Sequence, residues 1–167
     1  MNAITRNELA QIDTPLVTFE MNGREVSARA NETILQVADR EGIEIPRLCY
    51  KDGMEAVGNC RSCMVEINGE RVLAPSCCRY PTSGMKVTSD SERAVSAQKM
   101  VLELLMSDMP ETDYTRHNEV DYWAQKLSLG RPRFTARHQP QQDASHPGIT
   151  VNLDACIQCT RCVRACR

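Results

Sequence analysis

Aromatic residues are scarce: one Trp, two Phe and four Tyr supply only 4% of a 167-residue chain whose hydrophobic fraction is 41%. So few large rings argue against one large core and for small units supported by something besides packing, as metals or crosslinks support small domains. No stretch approaches the ~20 consecutive apolar residues that cross a bilayer, so no membrane segment is expected. The opening residues, MNAITRNELAQIDTPL, contain no apolar run and predict no secretory signal. A dominant charge is missing as well: the net charge of −2 offers no basic field for nucleic acid. Arg161, Arg164 and Arg167 make one small basic cluster, which reads as ordinary solvated charge. These absences leave a soluble, cytoplasmic protein as the expectation.

Cysteine is what the chain does have. There are nine, an odd number, and they include the pairs Cys60/Cys63 and Cys159/Cys162, each with two residues between. In a reducing compartment this many thiols points to metal binding rather than to disulfides.

Local pattern supports a small α+β unit. Residues 16–28, LVTFEMNGREVSA, predict a hairpin turning at Asn22-Gly23, a pair suited to a type I′ turn. Residues 31–42 predict a helix with Asn31 as N-cap, Ile34, Leu35 and Ala38 on one face, and Gly42 as its stop. Residues 64–74 give a second hairpin signal at Asn68-Gly69, with Val65 and Ile67 sharing a face, and Met85, Val87 and Thr88 suggest one more strand. A helix should follow, opened by a Ser89/Glu92 capping box, carrying the stripe Ala94, Val95, Val101, Leu102 and Leu105, and broken by Pro110. Between residues 111 and 147 the pattern is weak. A helix is possible around Val120–Leu127, and RPRFTARHQPQQDASHPG reads as a linker or irregular loop. The final block, GITVNLDACIQCTRCVRACR, reads as a short strand running into four cysteines.

The first cysteine set is Cys49, Cys60, Cys63 and Cys77, with ten, two and thirteen residues between successive members. Four thiolates hold a 2Fe–2S cluster. The loop that carries three of them contains Gly53 and Gly58, whose backbone freedom lets amide N–H groups turn toward sulfur and tune the potential. The spacing departs from the plant-type pattern, which has four residues between its first two cysteines.

Pro46-Arg-Leu-Cys49-Tyr50, seven residues, and then Gly58-Asn-Cys60-Arg61-Ser-Cys63 resemble the N-terminal 2Fe–2S signature of a large-subunit family. That family includes the 75 kDa-type subunit of respiratory complex I, iron-only hydrogenases, and the catalytic (alpha) subunit of soluble NAD-dependent formate dehydrogenases. The continuation MVEINGERVLAPSC, with PTSGMKV after it, looks most like the formate dehydrogenase branch. The resemblance implies a β-grasp ferredoxin-like domain. With Arg79-x-Pro81 it favours Cys77 over Cys78 as the fourth ligand, leaving Cys78 as a small buried apolar residue. Two plainer readings compete. Cys60/Cys63 and Cys159/Cys162 could be halves of a zinc site, although about ninety-five residues separate them and Cys49 and Cys77 go unused; or the thiols are structural and free.

Cys156, Cys159, Cys162 and Cys166 follow the C-x2-C-x2-C-x3-C run of bacterial 4Fe–4S ferredoxins, in which the fourth cysteine starts a helix and serves another cluster. Pro usually follows; here Arg167 does. No second run supplies the missing ligand, so the motif is expected to be incomplete and the chain to be a fragment, with a short subunit completed by a partner chain as the alternative. Residues 91–155 hold no cysteine, so the His-plus-three-Cys cluster of complex I and many hydrogenases is missing. His117, His138 and His146 accordingly read as surface or loop histidines. By resemblance, this absence favours the formate dehydrogenase branch.

The expectation is thus an α+β protein. It has an N-terminal tail at 1–12, a 2Fe–2S ferredoxin-like domain at 13–90, a helix and linker at 91–147, and an incomplete 4Fe–4S segment at 148–167. It carries no catalytic residues of its own. By resemblance it relays electrons between a pterin-bound molybdenum or tungsten domain, absent here, and a flavin- and NAD-binding partner. An electron-transfer subunit of an NAD-linked hydrogenase is the alternative.

Overall fold

The computed structural model describes residues 16–109, 118–136, 138, 141–153 and 156–166. The chain falls into two compact units. The first takes the residues up to Ile45 together with Cys63–Ala94, and the second takes Pro46–Ser62 and the residues from Val95 onward.

The first unit is built on a five-stranded mixed sheet in the order β2-β1-β5-β3-β4. Strands β1 (Leu16–Met21) and β2 (Arg24–Arg29) form the expected hairpin, with Phe19 opposite Val26 and Val17 opposite Ala28. Asn22 and Gly23 both take positive φ, 48° and 78°, as the mirror-image turn of a two-residue hairpin demands. Strand β5 (Lys86–Thr88) runs parallel to β1 and antiparallel to β3 (Met64–Ile67), and β4 (Ala74–Pro75) closes the edge. Alternation puts Phe19, Met21, Val26, Ala28, Val65, Ile67 and Val87 in the interior with Ile34, Leu35, Val37 and Ala38 of helix α1 (Ile34–Arg40). Each Phe, Met, Val, Ile or Leu among them contributes about 1.5–3 kcal/mol when fully buried.

Two caps differ from expectation. Asn31 does not cap α1; Thr33 does, in a reciprocal box with Gln36. The Gln36 amide donates to Thr33 Oγ1 at 3.3 Å, and the Thr33 amide donates to Gln36 Oε1 at 2.9 Å. Likewise helix α2 (Glu92–Asp108) is not opened by a Ser89/Glu92 box. The Ala94 amide donates to Ser91 Oγ at 3.2 Å, while Ser89 is engaged by Asn22, whose Oδ1 accepts from the Ser89 amide at 2.8 Å. A local capping preference gives way to a contact made across the sheet.

The second unit centres on Leu48, Leu102, Val120 and Trp123, with Cys60, Leu105, Met106, Met109, Leu127, Leu129 and Ile157 packed against them. Helix α2 supplies Leu102 and Leu105, and its end at Asp108 is close to the expected stop; Pro110 and His117 lie outside the described residues. Helix α3 (Glu119–Lys126) is capped by Asn118, whose Oδ1 accepts from the Val120 amide at 2.9 Å, and it buries Val120, Trp123 and Ala124. The polar stretch read as linker contains strand β6 (Asp143–His146), which pairs antiparallel with β7 (Ile149–Val151). Strand β7 is the short strand expected at the head of the final block, whereas β6, exposed along its length and without apolar alternation, was not expected. A five-residue helix, α4 (Arg161–Ala165), follows. Among the described residues no helix is long and apolar enough to cross a membrane.

Candidate metal centre

In the first unit the sheet and α1 fix Cys63 and Cys77. Cys63 sits immediately before β3 and is 1% exposed. Its carbonyl accepts two hydrogen bonds from Ser76, one from the backbone amide at 3.0 Å and one from Oγ at 2.9 Å. The first turn of a helix has amides with no partner inside the helix, and α1 spends two of them on either side of Cys77. The Leu35 amide donates to Ser76 O at 3.0 Å, and the Ile34 amide donates to Arg79 O at 2.8 Å. Cys77 is therefore held from both flanks and is fully inaccessible. Cys78 was expected to be buried, yet it is only half-buried, with its Sγ 3.5 Å from that of Cys77. The two cysteines lie in a turn closed by the Cys78 amide, which donates to Pro75 O at 3.0 Å, so their side chains leave the backbone in different directions.

In the second unit Cys49 and Cys60 meet directly. Cys49 is 1% exposed, and its amide donates to Cys60 Sγ at 3.4 Å. The Ser62 hydroxyl lies 3.0 Å from the same sulfur. The Cys60 thiol is pushed above its ordinary pKa, first by its side-chain hydrogen bond with Cys49 and then by burial, with Ser62 pulling weakly the other way. Gly53 and Gly58 lie at φ 82° and 58°, and Arg61, between the paired cysteines, at 60°. A left-handed residue other than Gly costs roughly 1–2 kcal/mol. At Arg61 it accompanies a turn that can aim successive N–H groups to one side, the kind of concavity that receives negative charge.

The C-terminal cysteines are more open. Cys156, Cys162 and Cys166 are exposed and Cys159 is half-buried. Left-handed residues recur between them, Gln158 at φ 55° and Thr160 at 60°. Cys166 was expected at the start of a helix; it stands instead at the C-terminal end of α4. Sequence reasoning missed the role of the arginines. Arg161 and Arg164 are not merely solvated, because both donate to backbone carbonyls of the Cys49 loop: Arg161 Nη1 to Leu48 O at 3.1 Å, and Arg164 Nη2 to Cys49 O. Arg167 lies outside the described residues. His138 and His146 are exposed, the latter accepting at Nδ1 from the Gly148 amide at 3.1 Å. Among the described residues no three His, Cys, Asp or Glu side chains gather as ligands of a single metal ion.

Residues 14–92 match the profile of the 2Fe-2S iron-sulfur cluster binding domain family. This segment is a 2Fe–2S cluster-binding domain. The same 2Fe–2S domain is shared with the relatives found. One is the mitochondrial NADH-ubiquinone oxidoreductase 78 kDa subunit of Candida albicans, 34% identical over 155 residues, covering 89% of this chain and 22% of that protein. Another is the NADP-reducing hydrogenase subunit HndD of Solidesulfovibrio fructosivorans, 34% identical over 165 residues, covering 90% of this chain and 28% of that protein. Among solved structures, the NAD+-reducing NiFe-hydrogenase in the H2-reduced state matches with a TM-score of 0.80 and 29% identity, over 89% of this chain and 65% of that one. The α+β, ferredoxin-like character of the 2Fe–2S domain is thereby established. The chain spans between about a fifth and just over a quarter of the length of these curated relatives (22% and 28%). None of the three is a formate dehydrogenase.

Proposed function

We propose that this chain is an iron–sulfur electron-transfer module of an NAD(P)-linked oxidoreductase, with Cys49, Cys60, Cys63 and Cys77 as the thiolate ligands of its 2Fe–2S cluster. The observation that carries the ligand assignment is the Cys49 amide aimed at Cys60 Sγ at 3.4 Å inside a loop of left-handed residues. Thiolate sulfur in a cluster accepts backbone N–H groups, which set its potential. The donor chemistry fits: all four are cysteine thiols, and Cys49, Cys63 and Cys77 are at most 1% exposed. The cluster would supply reversible one-electron transfer. The chain's own part is to bury those thiols, direct amides toward sulfur and keep water away.

Cys156, Cys159, Cys162 and Cys166 complete the proposal as 4Fe–4S-type ligands, supported by their spacing and by the left-handed residues between them. In the parent enzyme, electrons would pass between a catalytic metal domain and a flavin- and NAD-binding subunit. Two branches remain for that enzyme. The stretch MVEINGERVLAPSC and the cysteine-free residues 91–155 favour a formate dehydrogenase-like parent. The similarity to hydrogenase proteins favours an NAD-linked hydrogenase equally.

The test is anaerobic reconstitution of the chain with iron and sulfide, followed by iron analysis and EPR of the reduced form. A 2Fe–2S signal that is lost in Cys49→Ser supports the assignment. Bound zinc, or no metal, would overturn it. Isolating the native complex and comparing formate-dependent with H2-dependent NAD(P)+ reduction separates the branches.

A further inference from the structure

Arg161 and Arg164 stand three residues apart on α4, so both guanidinium groups leave the same side of one helical turn. Arg161 reaches Leu48 O and also pairs with the Glu119 carboxylate. Arg164 gathers more. Its Nη1 donates to Glu55 O at 2.6 Å, its Nη2 to Cys49 O and to Cys159 O, the latter at 3.4 Å, and its Nε to Thr160 Oγ1 at 3.2 Å. Nearby, Asn59 Nδ2 donates to Gln158 O at 2.6 Å. Ile157, inside the C-terminal run, packs on the same apolar cluster as Cys60 and Leu48.

The acceptors are mostly main-chain carbonyls, at Leu48, Cys49, Glu55, Gln158 and Cys159. Such contacts fix backbone position rather than side-chain pose. A planar guanidinium with five donors is suited to this, because one rigid group can satisfy several carbonyls at set angles. An ammonium in its place keeps the charge but not the fork.

We infer that Arg164 is a positioning residue that clamps the C-terminal cysteine run onto the loop from Cys49 to Cys60, and that it places one positive charge beside the carbonyl of Cys49. The inference rests on the proposed ligand role of Cys49 and Cys60. Two consequences follow. The clamp holds the C-terminal run at a set distance from Cys49, which is the geometry electron exchange between two centres requires. The charge favours the more negative, reduced state of a cluster on Cys49 and so raises its potential, since an adjacent opposite charge stabilises an anion.

The experiment uses the full chain, reconstituted anaerobically, as wild type, Arg164→Gln and Arg164→Lys. Three quantities are read: iron content, midpoint potential by EPR-monitored titration, and amide hydrogen exchange over residues 156–166. Both variants should keep wild-type iron at the 2Fe–2S centre and exchange faster across 156–166. Arg164→Gln should also titrate more negative by roughly tenfold in the reduction equilibrium, 59 mV for one electron, while Arg164→Lys should recover most of that shift. Unchanged exchange in both variants overturns the clamp. Unchanged potential in Arg164→Gln with iron retained overturns the charge role. If the wild type binds no 2Fe–2S cluster, the functional reading fails, and the exchange measurement still decides the clamp.

Discussion

The indole N–H of Trp123 donates to the carbonyl of Arg47 at 3.1 Å, across 76 residues of chain. Trp123 is the single tryptophan and is 8% exposed, set edge-on to Tyr122 with ring centroids 5.0 Å apart. It therefore both fills the core of the second unit and holds the backbone two residues before Cys49. Trp123→Ala should lower stability by about 3–5 kcal/mol, the usual cost of emptying a large aromatic site. Trp123→Phe keeps most of the volume but loses the hydrogen bond to the Arg47 carbonyl, and should cost about 0.5–1.5 kcal/mol. Urea unfolding, followed by far-UV circular dichroism, measures both.

Cys77 and Cys78 offer a sharp comparison because they are adjacent and their sulfurs lie 3.5 Å apart. The buried member is the one flanked by the α1 amides. Cys77→Ser should lose the 2Fe–2S EPR signal after reconstitution, and Cys78→Ser should keep it. The reverse result would sink the ligand assignment at this position.

Thr33→Ala removes one side of the capping box and should cost about 1 kcal/mol. The change acts close to the amides of Ile34 and Leu35, which hold the carbonyls of Arg79 and Ser76 around Cys77. The expected outcome is a lowered melting temperature together with faster cluster loss to a chelator. A lowered melting temperature with unchanged loss would separate α1 from Cys77.

Glu103 predicts an acid-dependent effect. Arg133 donates to it from Nε at 2.7 Å, from Nη2 at 2.8 Å and from its own backbone amide at 3.0 Å. These bonds, the side-chain ones first, hold the carboxyl down at about 2 against an ordinary 4.5. A carboxyl lowered by folding contributes stability in full above its unfolded pKa, and that contribution is lost as pH falls through the folded value. Wild-type stability should therefore decline between pH 4.5 and about 2. Glu103→Gln should be less stable at neutral pH and show a shallower decline over that window, read by thermal melts across pH.

What the sequence made legible was local. The Asn22-Gly23 turn was readable because its chemistry lies in two residues whose backbone angles few others accept. The cap at Thr33 was missed in favour of Asn31, two residues earlier, although Thr33-x-x-Gln36 is itself a capping pattern. Ser89 matched a capping pattern as well, but the helix starts at Glu92 with Ser91 accepting from the Ala94 amide, and Ser89 is bonded to Asn22. The cysteine spacings were legible because covalent chemistry tolerates few substitutes. The partners of Arg161 and Arg164 were not, because carbonyl acceptors have no side-chain signature. Strand β6, DASH, has neither apolar alternation nor burial to mark it.

The parallel pairing of β1 with β5 has a consequence for the order of events during synthesis. Asn22 clasps Ser89 across 67 residues, and that clasp, like the β1/β5 ladder, closes only after the intervening chain has been made. Such nonlocal closure is slow, because the entropy of a long loop is lost before the contacts that offset it are gained. Cys49, Cys60, Cys63 and Cys77 all precede β5, so a nascent chain exposes every one of those thiols before the sheet that shelters Cys63 and Cys77 can exist. Between the emergence of Cys77 and that of Thr88, the thiols of Cys63 and Cys77 therefore stand without the completed sheet that buries them, and the last strand closes that interval for those two alone.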